Sequence, residues 1–310
     1  MTAPTLETYR GICNAWECDE NGHMNVRFYV QRASEGLAGV SAALGAPGAF
    51  RARANATWLP IEQHIRFLKE ARPGAPLTLL SGVVDLTETT ARVYQELRHV
   101  DGAACAAITT LVAHVEPSTG RSFPTPARCR ERAANLACVI PAHGAARSID
   151  PTRMPAEATM ARADVLGALV IGRGAILPQE TDMFGRMRPE IVIGRISDSA
   201  PHLVSSWRTQ VAADAGAGAD NAGAAVVEYR LIYRRWPRAG DAFVVRSAVT
   251  EVQEKTFHIA HWMLDPVTGQ AWATAEAVAL TFDLSTRKTI VPSAAMRTAL
   301  EAGAVCDMTL

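Results

Sequence analysis

The sequence predicts an α+β fold built from one unit used twice. Two observations lead there. A short polar motif, D-x-x-G-x-M, occupies residues 19–24 and recurs at residues 182–187, an offset of 182 − 19 = 163. Behind each copy come a helical stretch, a Gly/Ala-rich loop and four strand-like runs, in the same order. One helix beside a run of consecutive strands is the pattern of a helix packed on one face of an antiparallel sheet.

Each copy opens on a strand ahead of its motif. The first helix is expected over residues 26–44 and the second over 189–207, with Pro189 near its start, where a missing N–H costs nothing. The loops read LGAPGAFRARAN and AADAGAGADNAGAA. Strands are expected at 57–69, 76–87, 91–100 and 103–115, then at 225–236, 242–252, 255–264 and 270–282. The turns correspond as well: RPGAP with RAGDA, Thr87-Glu88 with Thr250-Glu251, and VDG with LDPVTG. Both copies close on a Ser-Thr pair, a basic residue and a proline, in STGRSFPTP and STRKTIVPS. The stretch between the copies suggests short crossing helices. The expected division is residues 1–130, a linker at 131–170, and residues 171–310.

Composition narrows the function. The 310 residues have room for two domains, and 48% hydrophobic against 20% charged implies a real core. Lys+Arg and Asp+Glu both total 31, which argues against a dedicated nucleic-acid binder. No signal peptide is expected at the N-terminus, and no apolar run has the length of a membrane span. The six cysteines form no CxxC pair and no zinc-like spacing, so reduced, structural thiols in a cytoplasmic protein are expected.

The first motif carries more. Asp19, Gly22, His23, Met24 and Asn25, followed by Tyr29, read D-x-x-G-H-M-N with a nearby tyrosine. This resembles the signature of hotdog-fold acyl-CoA thioesterases of the 4-hydroxybenzoyl-CoA thioesterase type. The following IRFLKEARPGAPLTLL resembles the strand–turn–strand of that family. The resemblance spans most of residues 10–126 and is weaker over 173–292, where Arg186 and Arg188 replace the His and the Asn. It implies two tandem hotdog units, each an antiparallel sheet wrapped around a long central helix, forming a pseudo-dimer with its active site at their interface. It also implies an acyl-CoA substrate, no other cofactor, no nucleic-acid or membrane partner, and further association, most simply a homodimer of fused pairs.

Thioester hydrolysis needs a nucleophile and a stabiliser for the oxyanion. Asp19 could serve either as general base toward water or as direct nucleophile. The helix N-terminus behind it offers free N–H groups and a positive dipole end. Gly22 would let backbone approach the substrate, while His23 and Asn25 would donate or orient. Asn21, Tyr29, Asp182, Arg186 and Arg188 are candidate substrate contacts, the arginines because guanidinium suits phosphate. The bland alternative makes Asp19, Asn21 and Asn25 caps and turn residues. Two functional rivals remain: a non-catalytic acyl-CoA binding or regulatory protein, and a hotdog-fold enoyl-CoA hydratase, although the N-P-x-H segment of the latter is missing. His258 and His261 are three apart in an expected strand and should face opposite sides.

Overall fold

The computed structural model describes residues 3–214, 216 and 221–310. The chain forms two compact units. The first holds Met1–Ala146 together with Pro178–Ile191, and the second holds Arg147–Leu177 with Val192–Leu310. The stretch expected to link the copies therefore divides between them at Ala146/Arg147. The second motif, at residues 182–187, clusters with the first unit rather than with the sheet that follows it in sequence.

The first unit contains β1 (Leu6–Ile12), α1 (Val26–Ala43), β2 (Thr57–Phe67), β3 (Pro76–Leu86), β4 (Thr90–His99) and β5 (Ala104–Val115). Its strands are antiparallel in the order β1-β3-β4-β5-β2. The helix α1 lies on one face and buries Tyr29, Val30, Ala33, Gly36, Leu37 and Val40, a stripe at spacings of three and four. Gly36 is what allows the approach: a Cβ there would stand 2.5 Å from Gln95 Nε2 and 2.6 Å from Leu79. A short helix, α2 (Ala127–Ala133), follows the sheet. The chain then crosses the sheet so that the Cys138 N–H bonds the Val83 carbonyl at 3.0 Å.

The second unit repeats the scheme with α3 (Met160–Val165), β6 (Leu169–Ala175), β7 (Ala222–Tyr233), β8 (Ala242–Val252), β9 (Phe257–Leu264) and β10 (Ala271–Asp283). The order β7-β10-β9-β8-β6 mirrors that of the first unit. Register repeats too: Ser81 faces Gln95, and Ser247 faces His261 at an offset of 247 − 81 = 166. Bulges fall at Val83/Asp85 and Val249/Glu251. One face of this sheet is covered by α3 and by the chain after residue 302; Trp262, fully buried there, donates to the Thr309 carbonyl at 2.7 Å.

One element departs from expectation. The single helix over 189–207 is two helices, α4 (Pro189–Ser199) and α5 (Pro201–Asp214). Pro201 lacks an N–H and disfavours helical geometry in the residue before it, so the break falls there. The Gly/Ala-rich run then starts later than expected. Helix continues to Asp214 and strand begins at Ala222, while residues 215 and 217–220 of that loop lie outside the described residues. Among the described residues no helix is long and apolar enough to cross a membrane.

Candidate active site

The first motif folds as a tight loop closed by its own backbone. Cys18 and Met24 form an isolated antiparallel bridge. The Asp19 N–H donates to the His23 carbonyl at 3.0 Å, and the Gly22 N–H to the Asp19 carbonyl at 3.0 Å. Gly22 sits at φ +75°, a left-handed conformation that only glycine adopts cheaply. The loop is pinned outside as well: the Met24 N–H donates to the Ala71 carbonyl at 2.7 Å, and the Asn25 N–H to the Glu17 carbonyl at 2.8 Å.

Inside this frame Asp19 meets His23. The Asp19 Oδ1 lies 2.8 Å from His23 Nδ1 and accepts the Asn21 N–H at 2.9 Å. Both acid and imidazole are partly exposed, at 17% and 15%. With the proton on Nδ1, the imidazole donates to the carboxylate and holds it in one orientation. Three residues after His23, α1 begins at Val26. Asn25 is its N-cap: its side-chain oxygen accepts the Arg27 N–H at 2.9 Å, and its carbonyl accepts the Phe28 N–H at 2.9 Å. Val26 is the first residue of α1, where helix geometry gives the backbone N–H no partner four residues back.

The second motif has the same backbone. Thr181 and Met187 form the bridge, the Asp182 N–H bonds the Arg186 carbonyl at 2.7 Å, and the Gly185 N–H bonds the Asp182 carbonyl at 3.0 Å. Gly185 has the same φ of +75°. The side chains differ. Asp182 Oδ1 accepts the Phe184 and Arg186 N–H groups at 2.8 and 3.0 Å, and Arg186 Nε approaches its Oδ2 at 3.4 Å. Arg186 is buried and lies 5.0 Å over the Phe184 ring. Arg188 donates to the Gln179 carbonyl at 2.9 Å and pairs with Glu190 at 3.3 Å. Both guanidinium groups proposed as phosphate contacts are thus held by protein acceptors. Glu190 is buried, and that burial pushes its carboxyl pKa upward.

The sequence profile of the thioesterase-like superfamily matches residues 13–135 and again 176–300. The chain belongs to the thioesterase-like superfamily. A comparison with curated proteins gives no match. Among solved structures, a provisionally assigned oleoyl thioesterase from Lactobacillus plantarum is similar with a TM-score of 0.68 at 13% identity, over 90% of this chain and 97% of that one. The 12:0-ACP thioesterase from Umbellularia californica is similar with a TM-score of 0.65 at 10% identity, over 88% and 93%. An acyl-ACP thioesterase from Bacteroides thetaiotaomicron gives 0.60 at 12%, over 87% and 96%. These likenesses span both units and establish a tandem double-hotdog fold.

Within this thioesterase-like chain the remaining candidates distribute unevenly. Gly22, His23 and Asn25 gather around Asp19 as described. Asn21 is buried and contributes its N–H to the acid. Tyr29, expected to touch substrate, is buried in the core; it packs edge-on against Phe67 at 5.2 Å and is hydrogen-bonded to the Ala71 backbone, and burial raises its pKa. It is turned inward because it falls on the apolar stripe of α1.

Sequence reasoning missed the pair that anchors the site from below. Glu17 is buried one residue before Cys18, and its carboxylate accepts from Arg32 of α1 and from the Asn14 N–H at 2.9 Å. Arg32 also pairs with Glu35 at 3.0 Å and lies 4.7 Å over the Tyr9 ring. A signal was present: Glu180 and Arg195 stand 163 residues after Glu17 and Arg32.

A separate concave site lies in the second unit. A cavity of about 230 Å³ is lined by Glu251, His258, Glu276 and Cys306 among others, with His258 Nδ1 3.3 Å from Glu276 Oε1. His261 points to the other face, where Ser247 Oγ meets its Nδ1 at 2.7 Å and Tyr229 stacks on it. The two histidines do face opposite sides. Among the described residues no group of three His, Cys, Asp or Glu is placed to hold a metal ion.

Proposed function

We propose that this chain is an acyl thioester hydrolase acting on acyl-CoA, with Asp19 as the reacting acid. The observation that carries the reading is the Asp19–His23 contact of 2.8 Å, set in a closed loop immediately before the N-terminus of α1. In one route the Asp19 carboxylate takes a proton from water, which attacks the thioester carbon. In the other the carboxylate attacks directly, and the resulting mixed anhydride is then hydrolysed. Both develop negative charge on the carbonyl oxygen and expel a thiolate. The Val26 N–H is the proposed oxyanion donor; one such group is worth about 3–4 kcal/mol in the transition state. His23 orients the acid through Nδ1. Label in the Asp19 side chain after a single turnover in heavy-oxygen water identifies the anhydride route, since it enters only when water attacks the Asp19 carbonyl of the anhydride.

Acyl-ACP is the second reading, favoured by the full-length likeness to two acyl-ACP thioesterases. Turnover on matched acyl-CoA and acyl-ACP pairs decides the carrier. Free thiol released from either excludes the binding-protein and enoyl-hydratase alternatives. Asp19→Asn keeps size and leaves the fold intact. It should lower turnover by at least about 100-fold, the low end for a positioned acid–base group. Asp182→Asn, at a carboxylate already occupied by two backbone amides, should change turnover little. Near-full activity in Asp19→Asn with loss in Asp182→Asn would move the working site to the second motif. The homodimer of fused pairs belongs to the same proposal, and light scattering at the 33.2 kDa mass of one chain would remove it.

A further inference from the structure

The thiols of Cys13 and Cys18 stand 3.6 Å apart, Sγ to Sγ. They bracket the 3₁₀ turn Ala15–Glu17, and Cys18 directly precedes Asp19. Cys13 is fully buried at the end of β1, whereas Cys18 is partly exposed. Every cysteine of the chain is free in this structure. The second motif has no counterpart, because Ile176 and Thr181 occupy the positions 163 residues on.

We propose that Cys18 is a thiol-modification site and that Cys13 resolves the modification into an intramolecular disulfide that turns off the Asp19 site. The geometry asks for little. A disulfide needs its sulfurs at about 2.05 Å, so closing a 3.6 Å contact takes about 1.5 Å of approach between the two residues. Exposure assigns the order of events. The Cys18 thiolate attacks one sulfur of a small-molecule disulfide such as oxidised glutathione, and the first thiolate leaves. Cys13 gives its proton to solvent and attacks the Cys18 sulfur, and the second thiolate leaves. Two S–H bonds are replaced by one S–S bond, and the oxidant is reduced to two thiols. Burial pushes the Cys13 thiol up to about 12, so first attack does not fall to Cys13; its place 3.6 Å from the Cys18 sulfur is what assigns it the resolving step.

The consequence follows from the backbone. Cys18 bridges Met24 at the base of the Asp19 loop, and the Cys13 carbonyl accepts the Gly74 N–H at 2.8 Å, so Cys13 is tied to the turn before β3 while Cys18 is tied to the Asp19 loop. Drawing Cys18 toward Cys13 shifts Asp19 relative to the first turn of α1. The effect on activity rests on the function proposed above, whereas the disulfide itself does not.

The test uses the full chain treated with oxidised glutathione, then alkylated and digested. Cleavage after arginine leaves both cysteines on one peptide, residues 11–27. The expected product is that peptide two hydrogens lighter, and further cleavage after Glu17 should leave its two fragments joined until a reductant is added. Thioesterase turnover should fall at least tenfold in step with this product and return with dithiothreitol. Cys18→Ser should keep basal turnover and lose the sensitivity, and Cys13→Ala should accumulate a stable mixed disulfide on Cys18. If the peptide stays at its reduced mass under conditions that fully oxidise the exposed Cys306, or if the wild-type chain stops at a mixed disulfide, the modification proposal fails. If the disulfide forms and turnover is unchanged, the switch is refuted while the function stands. If no substrate is turned over in either state, the functional reading fails and the peptide mass alone judges the disulfide.

Discussion

Glu17→Gln should destabilise the first unit by about 3 kcal/mol. The Glu17 and Arg32 side chains are only 5% and 8% exposed, so the charges cannot be met by water. Removing one member of such a pair leaves the other buried and uncompensated, at a cost of about 3–5 kcal/mol. Arg32 keeps a partner in Glu35 at 3.0 Å, but that carboxylate is 43% exposed, and pairs of that kind contribute about 0–1 kcal/mol. The Tyr9 ring beneath the guanidinium also remains. These residual contacts put the expected loss at the low end of the range. Urea unfolding followed by tryptophan fluorescence measures it, as a lower midpoint at unchanged slope in the transition that the substitution moves. The double variant Glu17→Leu with Arg32→Met removes both charges and should recover at least half of the loss. A loss below about 1 kcal/mol for Glu17→Gln, or a double variant no better than the single one, would refute the argument that the pair is held together by its own desolvation. Because the Glu17 carbonyl also receives the Asn25 N–H, turnover should fall along with stability.

Two glycines separate strain from clash. Gly22→Ala meets nothing within 4 Å, so its cost should be only the left-handed backbone term of about 1–2 kcal/mol. Gly36→Ala brings a Cβ to 2.5 Å from Gln95 and should cost about 1–3 kcal/mol through overpacking, read from the same unfolding curves. Burial lowers the His261 pKa to about 3, so the folded ring stays neutral where the unfolded one is charged. Its contribution is therefore fully present above pH about 6.5 and is lost as pH falls toward 3, with a slope of up to about 1.4 kcal/mol per pH unit. His261→Gln should flatten the stability profile over that window; an unchanged slope would show that another group carries it.

Much of the architecture was legible because its signals are short-range. The duplicated motif, the turn residues and the alternation of the strand runs each act within a few residues, and they located all eight meander strands to within three residues or fewer. The left-handed Gly22 and Gly185 follow from the same local rule. The break at Pro201 was legible in principle, since a proline inside an expected helix marks its own boundary. The partners of the site were not. Glu17 and Arg32 are 15 residues apart, and which sides of the turn and helix face each other depends on the sheet that α1 packs against. Tyr29 is polar-tipped and lies next to the motif, yet the stripe it shares with Val30, Ala33 and Leu37 turns it inward. Cys13 and Cys18 are five apart in an irregular segment, where no periodicity reports how side chains converge. Asp19 and Asp182 share one local pattern and one backbone. The side chains that fold back on Asp182, and the compact unit its motif joins, were decided by tertiary packing, because burial and pairing energies depend on neighbours that are remote in sequence.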